Sequence, residues 1–323
     1  MNAEKAALVT GATSGLGLET AIHLADDGYR LVIVTGRSFD RAQAAATAMK
    51  ERTGSDVFVP LALDLNHTSS VQAAVASLVD SGDSIAALIL NAGVVGGSDP
   101  VITGENVEVT YASSLIGHHQ LTMGLLEACL IAPNGRIVIA GSEAARGDVP
   151  TFNPVDLPSY AAKHFAGDLE AAAISLIRHD GPLKYKPATT YATAKLFVAW
   201  WASSLAQRLP DGVTVNAVSP GSAPGTDAGR NANFFMRRIM MPVMKRAPKR
   251  LGMAASVPLA ARRYVDATEF GPEVTGNFFA SAPKKMTGPL HRVELDHVLD
   301  RASRDAAWNA TVAVAKSTTC TPA

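Results

Sequence analysis

Tyr191 and Lys195 stand four residues apart in a stretch with helical periodicity, so their side chains lie on one face of one helix. A tyrosine phenol, whose pKa is ordinarily ~10, is a poor acid or base at neutral pH. An adjacent ammonium stabilises the phenolate and lowers that pKa, so the pair can exchange a proton with a reacting oxygen. On its own, this spacing usually marks a surface pair, and the interpretation depends on what surrounds it.

A glycine-rich turn near the start of the chain is the second candidate, with the residues Gly11, Thr13, Ser14, Gly15, Leu16 and Gly17. Glycines allow a tight turn and bring backbone N–H groups close to a pyrophosphate, while the N-terminus of the following helix favours the anion. Such a turn can be no more than a tight turn, but its place between a first strand and a first helix favours a dinucleotide site.

The elements that must position these residues alternate along the chain. Continuously apolar runs predict buried strands at residues 6–10, 31–35, 57–61, 86–90, 136–140 and 213–218. Helical length and periodicity predict helices at 17–27, 40–52, 68–81, 113–129 and 191–208. Strands separated by helices imply parallel pairing, so we predict an α/β fold: a Rossmann-type doubly wound parallel sheet with helices on both faces.

The composition limits the class of protein. Of 323 residues, 47% are apolar and 18% charged, which predicts a large core, and 29 basic residues balance 29 acidic ones, which gives no global field for nucleic acid. The two cysteines, Cys129 and Cys320, form no disulfide framework, and no apolar run is long enough to span a membrane. We expect a cytoplasmic protein without a nucleic-acid partner, with one domain at 1–316 and a disordered tail at 317–323.

No metal site is expected either. His118 and His119 are adjacent and therefore point to different faces of a helix, so they cannot chelate one ion together. Each is predicted to have a core or interface role.

Further landmarks follow the glycine turn in order: Asn91-Ala92-Gly93, Ser142, Tyr191-Ala192-Thr193-Ala194-Lys195 and Pro220-Gly221. With TGxxxGxG at the turn, the chain resembles the classical members of the short-chain dehydrogenase/reductase superfamily. The segments "SGLGLETA" and "LIGHHQLTMGLLE" are similar to its retinol-dehydrogenase-like and protochlorophyllide-reductase-like branch. The resemblance implies an oxidoreductase that transfers a hydride between a nicotinamide cofactor and a carbonyl or alcohol.

The resemblance also implies roles for the landmarks. Tyr191 would donate the proton, Ser142 would hold the substrate oxygen, and Lys195 would lower the pKa of Tyr191 and bind the nicotinamide ribose. Ser114 occupies a position where family members commonly have an asparagine that organises a water relay behind the lysine, so the relay here is rebuilt or weakened. The implied cofactor contacts are Asp64 and Leu65 at the adenine edge and Thr226 at the carboxamide, together with Asn91, Ala92, Gly93, Pro220 and Gly221. A plain turn aspartate is the alternative interpretation of Asp64.

The end of the second strand indicates which dinucleotide binds. An NAD site places a carboxylate there for the ribose hydroxyls, whereas a guanidinium fits a 2′-phosphate. Residues 35–38 contain Arg37 and no Asp or Glu, which favours NADP(H), with Ser14 and Ser38 as possible hydroxyl partners. A solvated arginine at a strand end is the alternative.

The interval between Ser142 and Tyr191 is long, and we treat 146–188 as an insertion with one helix near 163–177. A similar insertion in the monomeric carbonyl reductases covers the face that other members use to assemble, which favours a monomer here. Tyr160 and Lys163 imitate the catalytic pair, but some fifty residues separate them from the sixth strand, so Tyr160 is predicted to pack within the insertion.

Residues 222–258 are predicted to form a substrate lid. The overlapping stretch 228–265 contains nine basic residues, no acidic residue and several methionines. It is interpreted as a lid with a solvated basic face, as a docking surface for an acidic carrier protein or anionic substrate, or as a membrane-surface helix.

These observations predict an NADP(H)-dependent oxidoreductase acting on a bulky, largely apolar carbonyl or alcohol. One alternative is a tailoring ketoreductase with a carrier-bound or anionic substrate. The other is a non-catalytic NADP(H)-binding regulator, which only Ser114 supports.

Overall fold

The computed structural model describes residues 5–223 and 255–319. One eight-stranded sheet has the order β3-β2-β1-β4-β5-β6-β7-β8, and all neighbouring strands pair in parallel except β7 and β8, which are antiparallel. The strands are β1 (Ala6–Val9), β2 (Leu31–Gly36), β3 (Phe58–Ala62), β4 (Ile85–Leu90), β5 (Ile131–Ala140), β6 (Thr214–Val218), β7 (Phe278–Ala280) and β8 (His291–Arg292). The predicted doubly wound parallel sheet is confirmed.

Helices cover both faces of this sheet. They are α1 (Gly15–Asp26), α2 (Phe39–Thr53), α3 (Thr68–Ser81), α4 (Val109–Tyr111), α5 (Gly117–Glu127), α6 (Leu157–His164), α7 (Leu169–Arg178), α8 (Pro187–Ala206), α9 (Val257–Asp266), α10 (Asp296–Leu299) and α11 (Arg301–Thr319). A π-helical turn (Ala112–Ile116) joins α4 to α5, and 3-10 turns lie at Glu143–Arg146 and Ala267–Glu269.

Two apolar cores lie on opposite sides of the sheet because successive residues of a strand point to opposite faces. Leu8 of β1 belongs to the core that contains Trp200 and Trp201 of α8, whereas Val9 belongs to the core that contains Leu24 of α1. Burial on both faces explains why the strands appear in the sequence as continuous apolar runs rather than alternating ones.

The helix after β4 departs from the predicted continuous helix at 113–129. Its first part is the π-helical turn, and only Gly117–Glu127 is regular α-helix. Gly117 permits a close approach at this point, since a Cβ there would lie 2.3 Å from the carbonyl oxygen of Leu65. The π-helical turn therefore brings α5 against the end of β3. This contact lies at the same edge of the sheet as the glycine turn.

The insertion contains two helices, so the single helix predicted at 163–177 is wrong. Asp156 caps α6 by accepting a hydrogen bond from the Ser159 N–H, and Asp168 caps α7 in the same way from Ala171. The chain reverses between them at residues 166 and 167, both with positive φ. Aspartate is a favoured N-cap residue, so Asp156 and Asp168 were the sequence signal that two helices begin in the insertion.

Tyr160 lies in the apolar interior of the insertion, as predicted. It is 6% exposed, and its hydroxyl lies 3.0 Å from Ser175 Oγ on α7. It therefore packs α6 against α7 and is not part of the cavity described below.

The final helix, α11, packs against α3, α5, α7 and α8. It continues to Thr319, three residues beyond the predicted end of the domain at 316. Thr318 is buried there and accepts a hydrogen bond from Gln120 Nε2 at 2.7 Å. Residues 317–319 are thus helical rather than a disordered tail, and 320–323 lie outside the described residues.

Other differences are local. The long catalytic-candidate helix α8 begins at Pro187, four residues earlier than predicted, with the proline in its favoured first-turn place. The short strands β7 and β8 were not predicted because three and two residues carry too little periodicity. In the described ranges no helix has the length and apolar character needed to cross a membrane.

Candidate active site

A cavity of about 370 Å³ opens at the carboxyl ends of the parallel strands. In this fold, the crevice lies where the strand order reverses, here between β1 and β4. The predicted cofactor residues that line it are Gly11, Thr13, Ser14, Gly15, Leu16, Gly17, Arg37, Asp64, Leu65, Asn91, Ala92, Gly93, Tyr191, Lys195 and Pro220. The structure therefore brings together six segments that are separate in sequence.

The glycine turn has a main-chain geometry that side chains would block. Gly11 and Gly15 have φ values of 63° and 58°, which favour glycine. A Cβ at Gly17 would lie 2.4 Å from the Gly11 carbonyl oxygen and 2.5 Å from Asn91 Nδ2. The turn ends in the N-terminus of α1, whose positive dipole end faces the cavity. This concave main-chain surface fits a pyrophosphate.

Asn91 and Ala92 hold the turn in place from the end of β4. Asn91 Nδ2 donates to the carbonyl oxygens of Thr10 at 2.9 Å and Gly11 at 3.3 Å. The Ala92 N–H donates to Thr10 Oγ1 at 3.0 Å. These residues therefore fix the shape of the turn from beneath.

Two guanidinium groups lie at the β2 end of the cavity, those of Arg37 and Arg41. Both residues are exposed, and neither forms an ion pair with another described residue. Arg41 was not predicted, although it follows Arg37 by four residues in the first turn of α2. Ser38, a predicted partner, does not line the cavity: its hydroxyl caps α2 by accepting from the Arg41 N–H.

The edge next to β3 is formed by Asp64, Leu65 and Asn66. Asp64 accepts a hydrogen bond from the Asn66 N–H at 3.1 Å, and its own N–H donates to Ser70 Oγ. Asn66 Oδ1 is buried and has no hydrogen-bond partner among the described residues. A buried acceptor at this edge fits an amino group such as that of adenine, and Asn66 was missed because nothing in its sequence position marks it.

Tyr191 and Lys195 line the opposite end, on the face of α8 directed to the cavity. Lys195 is 4% exposed; its Nζ donates to the Ala140 carbonyl oxygen at 2.7 Å and lies 5.7 Å from the centre of the Tyr191 ring. Ser142, just after β5, interacts with the Tyr191 hydroxyl and caps the following 3-10 turn. The three predicted residues are therefore assembled at one point.

The pKa shifts differ from the sequence-based expectation. Burial raises the pKa of Tyr191, a hydrogen bond with Ser142 opposes that rise, and the Glu143 charge adds to it. Burial also lowers the pKa of Lys195 to about 8. The net shift of the Tyr191 pKa is therefore upward, opposite to the direction expected from the sequence, because burial outweighs the hydrogen bond from Ser142.

Ser114 lies in the π-helical turn, behind Gly93. Its side chain is 1% exposed, and its hydroxyl has no hydrogen-bond partner in the described part of the chain. A Cβ built on Gly93 would be 2.8 Å from Ser114 Oγ and 3.6 Å from Lys195 Nζ. The serine hydroxyl and the lysine ammonium thus adjoin the same point of the cavity wall.

A buried charge network that sequence reasoning missed supports this end of the site. Glu143, 2% exposed, accepts hydrogen bonds from Ser219 Oγ and from Ser281 Oγ, and Arg263 of α9 lies 3.6 Å away. The network joins the ends of β5, β6 and β7. Its members come from segments up to 138 residues apart, so no local motif marks them.

The remaining predicted contacts fall outside the cavity lining or outside the described chain. Gly221 has φ 77°, and a Cβ there would lie 2.7 Å from the Met286 carbonyl oxygen. Thr226 and most of the predicted lid lie outside the described residues. Tyr264 of α9, which was not predicted, lines the cavity instead.

Comparison with known proteins gives the family. Residues 5–169, just over half of the chain, match the family model of the short chain dehydrogenases. Human retinol dehydrogenase 13 is 26% identical over 88% of this chain and 78% of its own length. The protochlorophyllide reductase of Chlamydomonas reinhardtii is 30% identical over 75% of this chain and 61% of its own length.

A third relative, the WW domain-containing oxidoreductase of Drosophila melanogaster, is 28% identical over 88% of this chain, which spans only 64% of that protein. Among solved structures, L-sorbose reductase from Gluconobacter frateurii, with NADPH and L-sorbose, superposes with a TM-score of 0.63 at 21% identity, covering 90% of this chain and all of that one. Actinorhodin polyketide ketoreductase with NADPH superposes with a TM-score of 0.62 at 23% identity, and the match covers 86% of this chain and 95% of that one. As the motifs predicted, the chain belongs to the short-chain dehydrogenase/reductase family of oxidoreductases and resembles its retinol dehydrogenase branch.

Proposed function

We propose that this protein is an NADP(H)-dependent oxidoreductase that interconverts a carbonyl and an alcohol on a bulky, largely apolar small molecule. One observation carries the proposal. A single cavity joins the glycine turn to the side chains of Tyr191 and Lys195, with Ser142 beside the tyrosine. Such a cavity can hold a dinucleotide at one end and a reacting oxygen at the other.

The proposed cofactor fits the residues present. The main-chain surface around Gly11, Gly15 and Gly17 would hold the pyrophosphate, and Arg37 and Arg41 would bind a 2′-phosphate. When bound, NADP(H) supplies or accepts the hydride. Relatives named for retinol and protochlorophyllide support the substrate class, and similar solved structures that contain NADPH support the cofactor.

The protein's own part in the reaction is proton transfer and charge stabilisation. In reduction, negative charge develops on the substrate oxygen, Ser142 donates a hydrogen bond to it, and Tyr191 Oη transfers its proton to it. The Lys195 ammonium then stabilises the phenolate that remains. Because burial raises the pKa of Tyr191, the phenol keeps its proton at neutral pH, which suits it to act as the acid.

The sign of the pH dependence follows from this assignment. Reduction needs a protonated Tyr191 and a charged Lys195, so the reductive rate falls as pH rises through the lower of the two values, the Lys195 pKa of about 8. Oxidation needs the phenolate and is favoured at higher pH.

A carrier-bound or anionic substrate remains the alternative, but the described part of the basic stretch lends it little support. Arg262 is paired with Asp27 and Asp266, and Arg263 with Glu143. Both are held by contacts within the chain. The other seven basic residues of the stretch lie outside the described residues.

We also propose that the protein is monomeric. The insertion was predicted to cover the helix face used for assembly in other family members. Here α7 packs against α11, and α11 packs against α5 and α8. A tetramer mass in light scattering would contradict this proposal.

The experiment that tests the function is a panel of aldehydes and ketones assayed with NADPH and NADH, using wild type and Tyr191→Phe. We expect turnover with NADPH, and a loss of kcat of about 10³-fold in the variant, since it lacks the transferable proton. Binding of NADPH without turnover of any substrate would favour the regulator hypothesis. Equal activity of Tyr191→Phe would contradict the proton-donor assignment.

A further inference from the structure

His118 lies on α5 beneath the cavity, and the proposed mechanism does not use it. Its side chain is fully buried, yet both ring nitrogens have polar partners. Nε2 lies 2.9 Å from Thr10 Oγ1, and Nδ1 lies 3.2 Å from the carbonyl oxygen of Ser114. The ring therefore bridges the start of the glycine turn and the π-helical turn, rather than filling apolar space as a core histidine does.

The partners determine which nitrogen carries the proton. A carbonyl oxygen can only accept, so Nδ1 donates to Ser114. In a neutral ring Nε2 then accepts, and the Thr10 hydroxyl donates to it while accepting from the Ala92 N–H. Burial lowers the pKa of His118 to about 3, and the nearby Lys195 charge acts in the same direction, so the ring is neutral at pH 7.

Ser114 needs such a support because its own hydroxyl makes no hydrogen bond to a described residue. Ser114 Oγ and Lys195 Nζ adjoin the same point at Gly93. Lys195 has three N–H donors, and among the described residues only the Ala140 carbonyl accepts from it. Both groups thus keep hydrogen-bonding capacity where proton supply to Lys195 would occur.

We infer that His118 is a positioning residue for Ser114: its Nδ1–H fixes the Ser114 carbonyl in the π-helical turn and so holds the serine hydroxyl beside Lys195. Thr10 anchors the other side of the ring to the glycine turn. The inference rests on the proposed function, because it assigns Ser114 to the proton supply of the Tyr191–Lys195 pair. Because the Ser114 hydroxyl has no hydrogen bond of its own to a described residue, its position depends on how the backbone of Ser114 is held.

Loss of the His118 ring should affect its two contacts, Thr10 and Ser114, unequally. The Thr10 hydroxyl has a second acceptor, the Ile89 carbonyl oxygen at 3.4 Å. Asn91 and Ala92 continue to hold the glycine turn. The Ser114 carbonyl has no second side-chain donor among the described residues, so only main-chain hydrogen bonds of the helical segment would remain to hold it. The effect should therefore appear in proton supply and not in cofactor binding.

Two conservative variants separate these sides. In His118→Asn the amide can replace Nδ1–H at the Ser114 carbonyl, and in His118→Gln the longer amide can replace Nε2 at Thr10. We expect kcat of His118→Asn to stay within about twofold of wild type and kcat of His118→Gln to fall about tenfold, with the NADPH dissociation constant unchanged in both. Steady-state kinetics and fluorescence titration give the two quantities.

His119→Gln is the matched control. His119 is also buried, but its Nδ1 accepts from Trp201 Nε1 at 3.1 Å, away from the network, so kcat should not change. Three results would overturn the inference: retention of kcat in His118→Gln with loss in His118→Asn, equal loss in both, or a parallel loss of NADPH affinity.

A measurement without turnover separates this inference from the proposed function. ¹⁵N NMR of the wild-type protein should show His118 protonated at Nδ1 and unprotonated at Nε2. The opposite tautomer would overturn the positioning role even in an active enzyme. The expected tautomer in a protein that turns over no carbonyl would keep the role of His118 in holding Ser114 and remove only the proposed reaction.

Discussion

The two ends of the cavity are constructed differently. At the glycine turn after β1, the binding surface is mainly main chain, shaped by Gly11, Gly15 and Gly17 within seven residues. At the Tyr191 end, the lining includes the side chains of Ser113 from the π-helical turn, Tyr191 and Lys195 from α8, and Tyr264 from α9. The buried charge of Glu143 lies behind this lining. Glycines mark the first kind of site in the sequence, because only they allow the geometry. The second kind depends on which side chains the fold brings together.

The difference predicts different responses to substitution. The main-chain end should fail through steric overlap, and the side-chain end through the electrostatics of burial. The following experiments test that contrast in order of decreasing expected effect.

Gly17→Ala should have the largest effect. The added Cβ would lie 2.4 Å from the Gly11 carbonyl oxygen, which is backbone and cannot turn aside. We expect a loss of about 3 kcal/mol in the free energy of unfolding and about 100-fold in NADPH affinity. Chemical denaturation and fluorescence titration measure both.

Gly97→Ala is its control, since nothing lies within 4 Å of a Cβ at that position. If Gly17→Ala and Gly97→Ala lose the same stability and NADPH affinity, steric overlap at Gly17 is not what limits substitution in the glycine turn.

Lys195→Met tests the side-chain end through pH. Burial lowers the folded-state pKa of Lys195 to about 8 from 10.5, so between these values the unfolded chain binds more protons and stability rises with pH. The free energy of unfolding of wild type, relative to Lys195→Met, should therefore rise by about 2 kcal/mol from pH 7 to 9.5.

Lys163→Met is the matched control, because it removes an exposed lysine instead of a buried one. Its difference from wild type in the free energy of unfolding should stay constant over the same pH range. A constant difference for Lys195→Met as well would show that the ammonium is not disfavoured by burial.

Arg41→Ala and Arg37→Ala should have smaller and selective effects. Each removes one cation from the β2 end, so NADPH affinity should fall about tenfold while NADH affinity stays unchanged. The exposed neighbour Gln43→Ala serves as the control. If only Arg37→Ala weakens NADPH binding, the residue visible in the sequence suffices, and Arg41 lines the cavity without contributing.

The predictions from sequence were best where local chemistry decides the structure. The alternation of apolar runs and helices gave the sheet, and the order of the landmarks gave the family. The sequence failed at boundaries and short elements: the insertion has two capped helices in place of one, and the helix after β4 begins with a π-helical turn. Ser38 was placed at the cofactor from its position alone, whereas its hydroxyl caps α2.

By itself, then, the sequence determined the sheet, the glycine turn and the Tyr191–Lys195 pair, because each depends on residues a few positions apart. Only the tertiary structure decided that Arg41 and Asn66 line the cavity, that Glu143 meets Arg263, and that His118 joins Thr10 to Ser114. Such contacts have no sequence period, since they arise from how separate elements pack at the carboxyl edge of the sheet. Burial there also set the direction of the Tyr191 pKa shift, which the four-residue spacing alone had predicted with the opposite sign.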